Sequence, residues 1–357
     1  MKMNSICHKA TAGLLLILSL CTAGCGGDLW AWLNAPADGR GNGNQQVVTE
    51  PSDKPVNFSS QYKISIASGA SGGGYYMIGA TMAQVFQEHD PNLICSSEST
   101  GGTSENIALI SQEESTIGMG MADDIVSAYK GERDYKGRPA SNLRVITTGN
   151  TNTFQIFVLA SSNIHSLSDL KGKVISLGPS GAPYFGPDLL ESTCGLVKDK
   201  DYTGQYLAHD QAADALSDGN VDAVIATLSF PASAYANLAF TKDVRVISLS
   251  EKEIARAMKK HPTWVRATIP QGTYNKQSEA VDSLAIPVWF FTYADMDEDA
   301  VYRITKAIFE NTEEMGKIYK DAGSFRLDKA LVGVEIPVHP GATKYYREKK
   351  AEQGGQS

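Results

Sequence analysis

The sequence has no excess of basic residues: it contains 32 Lys and Arg against 40 Asp and Glu, for a formal net charge of -8. Without a broad positive surface it is poorly suited to hold a phosphate backbone, so a nucleic-acid partner is not expected. Five cysteines are few for 357 residues, and a chain of this length can bury a large core without a disulfide scaffold. Beyond residue 60 there is no run of 18 apolar residues, so no membrane-spanning helix is expected there.

The first 25 residues have the layout of a secretory signal. Lys2 and Lys9 make a basic start, residues 12–20 are almost wholly apolar, and small residues precede Cys25. The apolar run is shorter than the ~20 residues that span a bilayer. A cysteine after small residues resembles a bacterial lipobox, so we expect residues 1–24 to be a lipoprotein signal peptide and Cys25 to carry lipid. The protein would then lie in the periplasm or at the cell surface. The alternative is an ordinary signal with an incidental cysteine.

Residues 25–60 are rich in Gly, Asn, Pro and Ser. This composition is typical of a flexible linker, so we expect a tether that holds a folded body at the membrane surface. The two cysteines of the body, Cys95 and Cys194, fall in segments that we assign to different lobes. Because a bridge between lobes would block their relative motion, we expect two buried free thiols.

After residue 60, short β-rich segments alternate with helical ones, and length alone favours about two domains. This alternation predicts an α/β fold with mixed, mostly parallel sheets. We expect the chain to begin in one lobe, build a second and return to the first. Lobe 1 would comprise residues 61–150 plus 284–345 and lobe 2 residues 151–283, and residues 346–357 would form a polar tail.

Three predicted strands run into turns rich in Gly, Ser and Thr that open helices, at residues 68–74, 99–104 and 178–182. Such turns aim backbone N–H groups and the positive end of a helix at one place. In open α/β sheets ligands bind beyond the carboxyl ends of the strands. None of the three turns contains Lys or Arg, so together they predict a neutral, donor-rich pocket for an anion. Three ordinary βα turns are the alternative.

The sequence contains partial matches to two other kinds of site, a serine nucleophile and a calcium loop. The sequence around Ser71, Gly-Ala-Ser-Gly-Gly, matches the nucleophile elbow of serine hydrolases, which would also need an acid and a histidine. The acidic cluster at residues 295–299 lacks the glycine of a calcium loop and is better explained as a helix N-cap with an acidic first turn. No nucleotide- or dinucleotide-binding motif occurs, so no cofactor and no metal site are expected.

One set of motifs resembles a known family. The set, in chain order, is Ser-Gly-Gly-Gly-Tyr-Tyr at 71–76, Thr-Gly-Gly-Thr-Ser-Glu-Asn at 100–106, Asp-Gly-Asn-Val-Asp-Ala at 218–223 and Ile-Pro-Gln-Gly-Thr-Tyr at 269–274. The body resembles the TAXI solute receptors of TRAP transporters. The resemblance implies a periplasmic binding protein of the type II fold, in which two lobes joined by a hinge close on a small carboxylate. The receptor then delivers this solute to TRAP membrane permease subunits driven by an ion gradient.

The resemblance also carries site residues onto this chain. It places Gly72, Gly73, Tyr76, Thr103, Asn106 and Tyr274 against the ligand. The full expected site adds Ser71, Ser104, Ser180 and Phe230. In this hypothesis the N–H groups of residues 71–73 and 101–104 hold the carboxylate, Asn106 and Ser180 add side-chain hydrogen bonds, and Tyr76 and Tyr274 shape the pocket.

The chain departs from the family at three places, and the first two of them make the cleft more apolar. The family's third-strand glutamine is Met121 here, its second-lobe turn is Gly178-Pro-Ser-Gly-Ala-Pro183, and its Gly-aromatic-Pro is Ser229-Phe230-Pro231. A small or rather apolar carboxylate, such as an amino, oxo or dicarboxylic acid, therefore fits best. We expect a membrane-anchored receptor without catalytic turnover. A serine hydrolase using Ser71, a sensory solute-binding lipoprotein and a structural surface lipoprotein are the alternatives.

Overall fold

The computed structural model describes residues 49–180 and 184–354. The predicted signal peptide and Cys25 lie outside the described residues, as does most of the predicted tether. The strands are β1 Tyr62–Ala67, β2 Leu93–Glu98, β3 Ile117–Met121, β4 Leu143–Leu159, β5 Val174–Ser176, β6 Thr203–Gln205, β7 Ala223–Leu228, β8 Val244–Val246, β9 Val265–Ile269 and β10 Val281–Tyr293. The helices are α1 Gly74–His89, α2 Thr103–Ser111, α3 Ala122–Lys130, α4 Phe185–Cys194, α5 His209–Ser217, α6 Ser233–Thr241, α7 Glu251–Lys260, α8 Glu298–Glu310, α9 Thr312–Ile318 and α10 Pro340–Gly354.

The strands form one continuous mixed sheet in the order β2-β1-β3-β10-β4-β7-β5-β6, and β8 and β9 pair with β4 and β10 respectively. The pairs β1–β2, β1–β3, β5–β6 and β5–β7 are parallel, as helical crossovers require. Every pair that involves β4 or β10 is antiparallel. The predicted α/β fold is confirmed, with two lobes built around these two long strands. The sheet is mixed, as expected, but it is not mostly parallel, because β4 and β10 run antiparallel to every strand they pair with in the described chain.

The strands β4 and β10 run through both lobes. The first part of β4 pairs with β10, and residues 153–157 pair with β7. Residues 142–146 and 155–159 have β-rich sequences, and a more polar stretch lies between them. The structure has a single strand of 17 residues, because the polar stretch 147–153 stays in the ladder through its pairing with β10. The expected lobe boundaries at 150/151 and 283/284 fall inside these two connecting strands.

The described end of the predicted tether lies along lobe 1. The Ser52 backbone N–H donates to the Glu298 carboxylate at 3.0 Å, and the Asn57 N–H donates to Asp299 Oδ2 at 2.9 Å. Arg303 on α8 is 2% exposed and donates to the Ser60 carbonyl at 2.7 Å. Residues 52–60 are therefore attached to α8 by specific hydrogen bonds.

Helix α8 begins as its sequence predicts. The Asp297 side chain accepts hydrogen bonds from the N–H groups of Asp299 and Ala300, so the acidic cluster caps the helix. The polar tail expected from residue 346 onward needs correction. Helix α10 runs through that boundary, and Tyr345 and Tyr346 are 1% and 0% exposed against α8. The first half of this helix is mostly buried and its second half is mostly exposed, so the charged residues after 346 continue a helix that the core holds at its other end.

Cys95 and Cys194 are both free, as expected, but they are half-buried rather than buried. Burial raises the pKa of the Cys95 thiol to about 12, and the nearby Asp90 carboxylate adds to the increase. Both thiols therefore stay protonated and unreactive at neutral pH. Among the described helices, none is both long and apolar enough to cross a membrane.

Candidate functional site

Two of the three glycine turns come together in lobe 1. The Thr100 N–H and the Ser99 hydroxyl both donate to the Gly69 carbonyl, at 3.1 and 3.2 Å. The Asn106 amide donates to the Ser68 carbonyl at 2.8 Å and to the Met119 carbonyl at 2.8 Å. These bonds tie the turn before α1 and the turn before α2 into one unit at the carboxyl ends of β1, β2 and β3. The N-termini of α1 and α2 therefore open at the same edge of the sheet.

The free N–H donors at this edge differ in part from the expected set, residues 71–73 and 101–104. The Gly73 N–H donates to the Ala70 carbonyl at 2.8 Å, and the Gly101 N–H donates to the Glu105 carboxylate at 2.6 Å. The Gly102 N–H donates to the Thr100 hydroxyl at 3.2 Å. Within residues 71–76 and 101–105, the N–H groups without an acceptor among the described residues are those of Ser71, Gly72 and the first helical turns, residues 74–76 and 103–105. The predicted role of Gly73 as an N–H donor to the ligand is therefore corrected, because its N–H is already paired within the turn.

The turns reach this geometry through glycine. Gly72 and Gly102 have φ of 81° and 98°, a region that other residues rarely adopt. Gly102 immediately precedes α2, where its open conformation turns the chain so that the Thr103 hydroxyl lies over β3. That hydroxyl accepts a hydrogen bond from the Met121 N–H at 3.3 Å.

Asn106 and Tyr274 are corrected as direct ligand contacts. Asn106 is 0% exposed, and its amide is fully engaged by two carbonyls and by the Thr100 hydroxyl at 2.7 Å. Tyr274 is 2% exposed in lobe 2, where its hydroxyl accepts from the Ala232 N–H at 3.0 Å and donates to the Gln155 amide oxygen. Both side chains hold neighbouring segments in place, and neither has a group left for a solute.

The other predicted site residues are accessible to different degrees. Ser71, Gly72, Ser104 and Ser180 are exposed, whereas Tyr76, Thr103 and Phe230 are half-buried. Part of the third turn, residues 181–183, lies outside the described residues. In the described part of the chain, the Ser71 hydroxyl has no hydrogen bond to any histidine. The nucleophile–base pair that a serine hydrolase needs is therefore not assembled around Ser71.

The two lobes touch beside these turns. Arg133, in the 3-10 turn that follows α3, donates from Nη2 to Asp188 Oδ2 in the first turn of α4, at 2.7 Å. Next to this ion pair, the Tyr184 hydroxyl donates to Asp134 Oδ1 at 2.6 Å, and the Arg133 guanidinium lies 5.0 Å from the centre of the Tyr184 ring. Burial nevertheless raises the pKa of Asp188, although Arg133 opposes the change.

A second contact joins the lobes deeper in the molecule. Asp123, at the start of α3, is 6% exposed and accepts hydrogen bonds from the Thr263 hydroxyl and from Trp264 Nε1, the latter at 2.8 Å. His261 stacks on Trp264 with ring centroids 4.1 Å apart. Burial lowers the pKa of His261 to about 4 even though Asp123 favours its charged form. The imidazole is therefore neutral at physiological pH.

Three groups near the cleft were not singled out from the sequence: the Tyr75 hydroxyl, the Asp124 carboxylate and the Arg133 guanidinium. Tyr75 Oη and Arg133 Nη1 are buried and have no hydrogen-bond partner among the described residues. Burial, and after it the charge of Asp123, raises the pKa of Asp124 to about 7, while Arg133 opposes this. Local sequence patterns do not reveal these three groups: residues 132–138, around Arg133, have the composition of an ordinary charged loop. In the described chain, no set of three or more potential metal ligands occurs.

Comparison with known proteins places this chain in a family. Solved structures that resemble it include the periplasmic aliphatic sulphonate binding protein SsuA of Escherichia coli, at 14% identity over 81% of this chain and 79% of that one, with a TM-score of 0.45. A probable amino-acid ABC transporter extracellular-binding protein of Bacillus subtilis matches at 14% identity over 74% and 99%, with a TM-score of 0.46. A model described as the NMT1-like family matches residues 66–349. Because this match spans most of the chain, the protein belongs to the NMT1-like family.

Proposed function

We propose that this protein is an extracytoplasmic solute-binding receptor without catalytic turnover, and that it captures a small carboxylate by closure of its two lobes. Lipid on Cys25 would hold it at the membrane, and a TRAP-type permease would accept the solute. The family membership, the two-lobed α/β fold and the motif resemblance to TAXI receptors support this proposal. The pattern of the first 25 residues supports the lipid anchor and a location in the periplasm or at the cell surface.

The observation that carries the proposal is the convergence of two helix N-termini beside a contact between the lobes. Helices α1 and α2 direct the free N–H groups of their first turns to one edge of the sheet, and the Thr100–Gly69 hydrogen bond fixes their relative position. Lobe 2 meets lobe 1 at the same edge, through Arg133 and Asp188. A carboxylate between the lobes would accept hydrogen bonds from the first-turn N–H groups of α1 and α2. The dipoles of these two helices favour negative charge at that place.

Lobe closure would link solute binding to delivery to the permease. In the closed arrangement the Arg133–Asp188 and Tyr184–Asp134 contacts join the lobes. A solute that binds both sides of the cleft shifts the population toward that arrangement by its difference in affinity for the two states. The permease would recognise the closed form, and the two connecting strands β4 and β10 would act as the hinge.

The first test is a thermal shift series on the full-length protein purified in mild detergent. Succinate, 2-oxoglutarate, L-glutamate and L-alanine are compared with glucose and with sodium chloride. A solute present at 100 times its Kd stabilises the folded state by about 2.7 kcal/mol, which corresponds to roughly 5 to 10 °C in Tm. We expect at least one carboxylate to give such a shift. A shift with glucose or sodium alone, and with none of the acids, would show that the carboxylate pocket is wrong.

A pair of matched variants tests the location of the site. Thr103→Val removes a hydroxyl at the α2 N-terminus, whereas Thr203→Val makes the same change at an exposed position on the remote strand β6. We expect only the first to weaken binding of the stabilising acid, by about tenfold, because one hydrogen bond to a charged group is worth about 1.5–3 kcal/mol. Equal affinities in the two variants would place the solute elsewhere.

The anchor and the transporter are tested separately. Growth with a labelled fatty acid should label the wild-type protein, and Cys25→Ser should abolish the label and release the protein from membranes. Membrane vesicles that contain the candidate permease should take up the solute under an ion gradient without ATP. Uptake that requires ATP would contradict the TRAP assignment without affecting solute binding.

A further inference from the structure

The cleft edge of lobe 1 contains more acidic than basic side chains. Four carboxylates lie at this edge or on the lobe 2 segment that meets it: Glu105, Asp124, Asp134 and Asp188. Three of these already have a donor. Glu105 accepts from the Gly101 N–H, Asp134 from the Tyr184 hydroxyl and Asp188 from Arg133. Asp124 differs from them, since its side chain is half-buried and has no hydrogen bond with another described residue.

Asp124 is surrounded by groups from several elements. The charged groups that act on it are Asp123 on its own helix and Arg133 and Asp134 on the following turn. Burial raises the pKa of Tyr75 on α1 and of Tyr135 in the 3-10 turn, and the hydrogen bond to Asp134 raises the pKa of Tyr184 before α4. The charge of Asp124 adds to each of these increases. Asp124 therefore lies among three phenols that come from both lobes.

The Tyr75 hydroxyl is an independent sign of a ligand. It is buried without a hydrogen-bond partner in the described part of the chain, and Thr103 and Asn152 lie beside it without meeting hydrogen-bond geometry. Buried hydroxyls are normally paired, so an orphaned one marks a place where another molecule completes the contacts. Arg133 Nη1 is orphaned in the same way. Its backbone has φ of 49°, a strained conformation for a non-glycine residue that is common at binding sites.

The groups without partners therefore favour a ligand that carries both a negative and a positive charge. The first-turn amides of α1 and α2 and Arg133 Nη1 supply donors for an anion, whereas Asp124 can only accept when it is ionised. A dicarboxylate or a sulfonate would satisfy the donors but would bring a second negative charge or an acceptor toward Asp124. A molecule with a carboxylate at one end and an ammonium group at the other satisfies both. Among the described residues, no group of three or more potential metal ligands occurs at this place, so a metal ion is a poorer fit than an ammonium group.

Resting on the proposed receptor function, we propose that Asp124 binds the ammonium group of the solute and that the solute class is the amino acids rather than oxo, hydroxy or dicarboxylic acids. The carboxylate of the amino acid lies on the helix N-termini, and the Tyr75 hydroxyl completes the contacts between its two ends. Asp124 is thus a specificity-determining residue that the anion-binding turns do not reveal.

The test compares matched acids by calorimetry on the full-length protein. L-alanine is paired with L-lactate and pyruvate, and L-glutamate with 2-hydroxyglutarate and 2-oxoglutarate. We expect the amino member of one pair to bind at least about tenfold more tightly than its partners. Asp124→Asn should remove that preference by lowering the affinity for the amino acid at least about tenfold, while leaving the hydroxy acid nearly unchanged. Asp134→Asn, a matched change at a carboxylate already paired with Tyr184, should keep the preference.

A pH series supplies a readout that a purely structural role would not give. Because the unoccupied Asp124 has a pKa of about 7, an ammonium ligand must displace a proton below that pH. Affinity for the amino acid should then fall about tenfold for each pH unit below 7 in the wild type. It should stay flat in Asp124→Asn. The melting temperature of Asp124→Asn should not fall, since the change removes a poorly solvated charge.

The outcomes separate the two proposals. If an oxo or dicarboxylic acid binds at least as tightly as its amino partner, and Asp124→Asn leaves the ratio unchanged, the amino-acid inference is overturned while the receptor function stands. If affinity rises instead of falling below pH 7, Asp124 donates as a neutral acid to an anion, and the inference is again overturned. If no acid of either class binds, both proposals fail together.

Discussion

The ion pair between Arg303 and Asp90 is a sharp test of how lobe 1 is held together. Arg303 Nε and Nη2 donate to the two carboxylate oxygens of Asp90 at 2.7 and 2.6 Å, and Nη1 donates to the Ser60 carbonyl at 2.7 Å. The guanidinium side chain is 0% exposed, whereas the Asp90 side chain is 21% exposed. The pair therefore connects the end of α1, the segment before β1 and the middle of α8.

The unequal exposure predicts unequal costs of removing each partner. Breaking a buried pair costs about 3–5 kcal/mol because one charge is left without compensation. Asp90→Ala leaves the fully buried guanidinium and should fall near the upper end, at about 4 kcal/mol. Arg303→Met leaves a carboxylate that water can reach and keeps an apolar side chain of similar length, so we expect about 2 kcal/mol. The double variant should cost clearly less than the sum.

Urea unfolding followed by circular dichroism measures these differences at pH 7, and thermal melts give a check at about 2–4 °C per kcal/mol. Lys306→Met serves as a control, since it removes a nearby cation of α8 that is partly exposed and 3.9 Å from its carboxylate partner. Losses below 1 kcal/mol in both single variants would refute the reasoning. So would a larger loss for Arg303→Met than for Asp90→Ala.

Three other predictions follow from buried polar groups. Burial lowers the pKa of His339 to about 4, against the Met296 carbonyl that favours its charged form. Since the unfolded chain binds this proton first, stability should fall as pH drops from about 6.5 to 4, and His339→Gln should flatten that part of a pH–stability curve. Tyr274→Phe should destabilise the protein by about 1–2 kcal/mol through the lost Gln155 and amide contacts but leave solute affinity unchanged in calorimetry. Asn106→Ala should lower both stability, by about 2–3 kcal/mol, and solute affinity, because the two turns come apart; unchanged affinity would show that the turns do not form the site.

Local sequence signals predicted the elements at the site well. The glycine turns before α1 and α2 could be identified because positive φ at Gly72 and Gly102 is a local property of the chain. The N-cap at Asp297 was likewise predicted from the residues next to it. By contrast, local signals do not predict that β4 is one continuous strand, because its polar middle is held by pairing with a strand more than 100 residues later in the chain.

The chemistry of the site depended on contacts that local patterns do not encode. Family resemblance pointed to Asn106 and Tyr274, yet their side chains are engaged by partners 6 to 119 residues away in the chain. Arg133 and Asp124 gave no such signal, because their importance comes from burial against lobe 2 and from the lack of a partner. Whether a polar side chain is free or engaged is a property of the folded protein, so sequence reasoning can nominate a position but not its role.

The position of β10 has a consequence for biogenesis. This strand lies between β3 and β4 in the sheet, although it is the last strand to be synthesised. Until residues 281–293 emerge, β3 and the first part of β4 present unpaired edges that can pair with another chain. The N-terminal lobe therefore cannot be completed during translation before the other lobe has been made. A message truncated anywhere upstream of β10 should yield an aggregating product rather than a smaller working domain.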